Sequence, residues 1–239
     1  MLVAASVCPP TPLLVPAVSA GAAAELADLR EACLRSVAGL AAAGPDRIVS
    51  VGSAEAAGSA GAWDRTAGGT LHGFGVDAAY GGASLVLPPA LTIAAYLLDV
   101  AGWEGERRYV ALARNASAGA CEGVGAKLSG RADSVALLTM GDGSAKRGAA
   151  SPGYLDPRAE PFDATVVAAL AGPDPAALLG LDAGLAAELW SGGRAPWQAL
   201  AGAALHVQRF GAQVSAEVRY DAAPFGVGYF VVDWVVRRA

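Results

Sequence analysis

Basic residues are scarce in this sequence: 17 Lys and Arg stand against 22 Asp and Glu, for a net charge of -5 and a pI near 5.0. A nucleic-acid surface needs a basic footprint that releases counterions, so no nucleic-acid partner is expected. Cysteine is equally sparse: three widely spaced residues make neither a disulfide framework nor a zinc ligand pair, which fits a reducing compartment. Although 54% of the residues are hydrophobic, no run of about 18 or more lacks Pro, Gly or charge, so no membrane-spanning helix is expected. The apolar start, Met1 to Cys8, has no basic n-region, and Pro9, Pro10 and Pro12 stand where a signal peptide would continue. The expected location is therefore cytoplasmic, and the sequon Asn115-Ala-Ser117 carries no weight without secretion. Nothing resembles a linker either, so residues 1–239 read as a single domain.

What is present is organised around Ser134 to Asp163. Ser134-Val-Ala-Leu-Leu-Thr-Met140 is a continuous apolar run without helical period, the pattern of a strand covered on both faces. Gly141-Asp-Gly-Ser144 breaks it into a tight turn, at the strand end where open α/β sheets bind ligands. Pro152, Gly153, Pro157 and Pro161 then predict a long loop, with helix only from Phe162 onward. Similar strand-end loops follow Leu2–Val7, as Cys8-Pro-Pro-Thr-Pro12, and Arg47–Val51, as Gly52-Ser-Ala-Glu55.

Helices are predicted over 22–43, where Leu26, Leu29, Cys33, Val37 and Leu40 recur at helical spacing, and over 90–100 behind Pro88 and Pro89. Others follow at 119–129, 163–170, from Pro173, at 184–190 and at 196–206. Strands are expected at 108–112 and, within the Gly-rich stretch 56–82, at 71–76. The chain closes on an antiparallel hairpin of Gln213–Tyr220 and Phe225–Trp234, with Val214, Ala216, Val218 and Tyr220 assigned to one face. Alternating strands and helices give a mostly parallel or mixed sheet flanked by helices, an α/β fold.

Four ordered segments resemble a known family: Val7-Cys-Pro-Pro-Thr-Pro-Leu-Leu-Val-Pro16, Pro45-Asp-Arg-Ile-Val-Ser-Val-Gly52, Leu138-Thr-Met-Gly-Asp-Gly-Ser144 and Pro224-Phe-Gly-Val-Gly-Tyr229. They look like the class III extradiol ring-cleavage dioxygenases, the LigB-like group that includes Memo-like proteins. The resemblance implies one α/β domain with a pocket at the strand ends, where active members hold Fe(II) with two His and one Glu and use a further His as acid/base. Here Pro9 or Pro10 stands where the first imidazole belongs, Gly52 to Glu55 offers no second, and Ala145 replaces the acid/base His. The last loop supplies the short Asp221 and no Glu, and the only histidines, His72 and His206, lie outside all four segments. The family's iron centre cannot be built in its usual form, so no cofactor and no metal are expected.

The pocket-lining candidates are Cys8, Thr11, Ser53, Glu55, His72, Asp142, Ser144, Lys146 and Asp221, with no catalytic residue assigned. Asp142, between two glycines, is the first choice, the alternative being a turn former bonded to its own backbone. Cys8 is read as a soft ligand or thiolate, or as an inert buried thiol. His72 is a base or a solvated loop residue; Lys146 and Arg147 cover an anion or simply tip the loop; Glu55 and Asp221 as a pair would suit Mg²⁺ or Ca²⁺. Cys8, Ser53, Asp142 and Asp221 are expected to converge on one rim of the sheet. The function read from this is a diverged, iron-free LigB-like protein binding a small aromatic or anionic ligand, or else a non-catalytic subunit of a dioxygenase-like complex. Surplus apolar side chains in the terminal hairpin and around Trp190 and Trp197 point to a homodimer or hetero-oligomer.

Overall fold

The computed structural model of the chain describes residues 1–54, 60–130 and 133–237. In chain order its elements are β1 (Leu2–Cys8), α1 (Pro16–Ser19), α2 (Ala27–Ala42), β2 (Arg47–Ala54), β3 (Gly61–Trp63), β4 (Ala67–Thr70), β5 (Ala79–Gly81), β6 (Ser84–Leu85) and α3 (Pro89–Val100). There follow β7 (Glu106–Ala113), α4 (Ala118–Leu128), β8 (Val135–Met140), α5 (Ala159–Ala171), α6 (Pro175–Leu179), α7 (Ala183–Glu188), α8 (Arg194–Gln208), β9 (Gln213–Ala222) and β10 (Tyr229–Arg237).

Seven strands form a mixed sheet in the order β3-β7-β2-β8-β1-β10-β9, and a small sheet, β5-β4-β6, packs against α3. Strands β7, β2, β8 and β1 run parallel, and β10 is antiparallel to β1 and to β9. The apolar runs lie in the centre of the sheet because both faces are covered. Val49, Val51 and Leu137 pack with Trp197, Leu200 and Phe230 beneath α4 to α8, whereas Ile48, Ala136 and Leu138 face Leu29, Val37 and Leu97 of α2 and α3. Connections leaving β1 and β2 cross the α2/α3 face, and those leaving β7 and β8 cross the other. Their carboxyl ends therefore diverge into a crevice, the topological position where open sheets bind ligands.

Helix α4 approaches α8 closely enough that a Cβ on Gly125 would lie 1.8 Å from the Ala199 carbonyl oxygen, so only hydrogen fits there. Three expectations need correction. The stretch 71–76 is not a strand: His72–Phe74 is a 3₁₀ turn closed by Gly75 at φ 77°, and the strand lies earlier, at β4. Helix α5 starts at Ala159, ahead of Pro161, because a proline in the first turn omits an N–H that has no intrahelical acceptor. Tyr220 does not share a face with Val214, Ala216 and Val218. The register shifts between Val231, opposite Tyr220, and Val232, opposite Val218, and this bulge at Arg219 turns Tyr220 toward the α2 side.

Candidate functional site: a strand-end cavity

Loops after β1, β7 and β8, with the end of β2, the turn before α8 and the start of β10, enclose a cavity of about 190 Å³. Its polar lining is Thr11, Ser53, Arg114, Asp142 and Tyr229, and Pro10, Met140 and Val227 supply apolar wall. Thr11 caps a 3₁₀ turn through Leu13 N–H, and the Tyr229 hydroxyl donates to Thr11 Oγ1 at 3.3 Å. Burial raises the Tyr229 phenol, and the Asp142 charge adds to the rise. Ser53, last but one in β2, donates to the Gly192 carbonyl at 2.6 Å.

Asp142 organises the far wall. Its Oδ1 accepts Gly192 N–H at 3.1 Å, and its carbonyl accepts both Gly193 N–H and Ser191 Oγ–H at 3.0 Å. The turn 191–193 is thereby fixed to the end of β8, and Gly192 is needed because a Cβ there would meet Asp142 Oδ1 at 2.6 Å. Arg114 reaches the same point from the β7 loop, its Nη2 3.5 Å from that Cβ position. Burial pushes the Asp142 carboxyl up to about 6 against the opposing pull of Gly192 N–H and Arg114, and the charge of Asp163 adds to the rise.

Asp163, on α5, is a second raised carboxylate, sealed behind the first at 1% exposure. Oδ1 accepts Ser144 N–H at 2.7 Å and Oδ2 accepts Ser144 Oγ–H at 2.8 Å; Arg147 Nη1 lies 3.9 Å away. Burial still outweighs these partners and holds the group at about 6, with Asp221 adding repulsion. Ser144, a pocket candidate in the sequence, is therefore turned into the protein as the partner of Asp163 and has no exposed surface.

Of the other candidates, Thr11, Ser53 and Asp142 line the cavity together. Cys8 reaches the same rim, but its side chain is fully buried and hydrogen-bonded to Cys33 of α2, which with burial raises its pKa well above the usual thiol value. Asp221 stands on the rim exposed to solvent, and Lys146 lies over the Trp190 ring, its Nζ 5.4 Å from the centroid. Neither lines the cavity. His72 is exposed on the small-sheet excursion and paired with Asp77 at 2.6 Å, so it is no base for this site: the turn at 72–74 points it outward. Glu55 lies outside the described residues. The sequence reading missed Arg114, Tyr229, Asp163 and Gly192. Arg114 lies two residues past the end of a predicted strand and Tyr229 ends the fourth resembling segment, so position alone signalled both; nothing local marked Gly192 or Asp163.

The donors facing the cavity are one carboxylate, one phenol, two hydroxyls and a guanidinium. A dioxygen-activating ferrous ion needs two imidazoles and a carboxylate on one face, and this set does not fit it. His206 is no substitute, since it sits in the last turn of α8 with its ring against Phe210. A larger depression of about 630 Å³ opens at the amino ends of β2, β7 and β8. There Arg47 pairs with Asp133 and Arg108 with Glu106, and Lys127 lines the depression as well. Among the described residues no helix is long and apolar enough to cross a membrane.

No protein-family model matches this chain, and a search of curated proteins finds no match.

Proposed function

We propose that this chain is a diverged relative of the LigB-like extradiol dioxygenases, using the strand-end pocket to bind a small aromatic or anionic ligand without a ferrous centre. The observation that carries the reading is that three of the four resembling segments, and the residue directly after the remaining one, supply the wall of one cavity: Pro10 and Thr11, then Ser53, Met140 with Asp142, and Val227 with Tyr229. At about 190 Å³ it is smaller than the ~300–1,000 Å³ pockets of drug-sized ligands, which suits a single ring or a short acid. Asp142, held at about 6, can take or give a proton near neutral pH. An open cavity with a perturbed carboxylate favours ligand binding over the alternative of a non-catalytic subunit, for which a filled pocket is expected.

The test is a thermal-shift screen of small aromatic acids, with metal analysis of protein expressed in iron-rich medium. Stabilisation that is lost in Arg114→Ala and Asp142→Ala, with no stoichiometric iron, is expected. Stoichiometric iron together with ring opening of a catechol would overturn the iron-free reading.

A further inference from the structure

One guanidinium group stands near the one cavity carboxylate. Arg114 lines the cavity, and among the described residues no acidic side chain lies within ion-pair distance of it. This unpaired positive charge favours an anion in the cavity, yet Asp142 would repel it at close range if ionised.

We propose that the cavity binds a small carboxylate together with one proton, the ligand's charge paired with Arg114 and the proton carried by Asp142 as a hydrogen bond to the ligand. The proposal rests on the ligand-binding reading above and adds the ligand class and its linkage to pH. Among the described residues the titratable and charged groups that face Asp142 are Arg114 from the β7 loop, Tyr229 from β10 and Asp163 from α5; the β1 loop presents Thr11 and the end of β2 presents Ser53. Arg114 opposes protonation, whereas Asp163 and a bound carboxylate both favour it, and filling the cavity removes water from Asp142 as well. Since the free carboxyl already sits at about 6, the bound pair holds the proton through neutral pH.

Benzoate and its neutral isostere benzamide are suitable probes, measured by titration calorimetry from about pH 5 to 8 in buffers of different ionisation enthalpy. Benzoate affinity is expected to fall toward tenfold for each pH unit above about 6, with uptake of about one proton at neutral pH. Asp142→Asn should bind benzoate with affinity flat across this range, and Arg114→Gln should lose benzoate by about tenfold or more, relative to benzamide. Benzoate binding without proton uptake, or equal binding of benzoate and benzamide, would overturn this inference while leaving the ligand-binding reading standing. Failure of benzoate, benzamide and the aromatic-acid screen to bind at any pH would overturn both. The buffer dependence is read on the unaltered chain, so the outcome does not depend on either variant folding.

Discussion

Replacing Asp163 with Asn tests the electrostatics behind the cavity directly. The carboxyl is 1% exposed and held at about 6 instead of 3.8, because burial outweighs its bonds to Ser144 and the distant Arg147. A folded-state value above the unfolded one means that the contribution of Asp163 is complete below about pH 3.8 and is lost as pH rises through about 6. At about 1.36 kcal/mol per pH unit, the span between these values is worth about 3 kcal/mol. Asn keeps the geometry, accepting Ser144 N–H at Oδ1 and donating from Nδ2 to Ser144 Oγ, but it does not titrate. The stability of Asp163→Asn relative to the parent should therefore move in the variant's favour by about 2 kcal/mol between about pH 4 and 7.5, most of that span. Urea unfolding of both proteins across that range measures it, and the difference between them cancels the titration of other carboxylates. A stability difference that stays constant with pH would refute the reasoning, and would mean that Arg147 and Ser144 fully compensate the buried charge.

Three further outcomes are expected. Gly125→Ala should lower the melting temperature by several degrees: the new methyl falls 1.8 Å from the Ala199 carbonyl, and overpacking at the top of the ~1–3 kcal/mol range exceeds the ~1 kcal/mol of helix propensity gained. An unchanged melting temperature would show that α4 and α8 separate without cost. Cys8, Cys33 and Cys121 are all buried, so a thiol reagent should label none of them in the native protein and all three in denaturant; rapid native labelling of any one would contradict that burial. Light scattering should show a homodimer, or an assembly with a paralogous subunit in the native host. Exposed Tyr154, Leu155 and Trp190 and the outer β9 edge supply apolar surface and open strand edge for it, and a monomer at high micromolar concentration with no partner in the host would refute it.

Sequence by itself determined the periodic elements and the loops between them. The apolar run at β8, the helical spacing of Leu29, Cys33, Val37 and Leu40, and the Pro- and Gly-rich strand ends each encode structure within a few residues, which is why they were legible. Asp142 was legible as well, because a carboxylate between two glycines at the end of a buried strand has few other places to go. Where pattern failed, the cause was a local device with weak sequence marks: the bulge at Arg219 that turned Tyr220 over, and the first-turn Pro161 that α5 tolerates. Only the tertiary structure decided which strand-end side chains share a cavity. Cys8 and Ser53 both end parallel strands, yet one turns toward Cys33 and the other toward Gly192. Arg114 and Gly192 meet Asp142 across 28 and 50 residues of chain. The raised carboxyls of Asp142 and Asp163 likewise come from burial by elements distant in sequence, and desolvation is a property of the packed interior that no short stretch of residues contains.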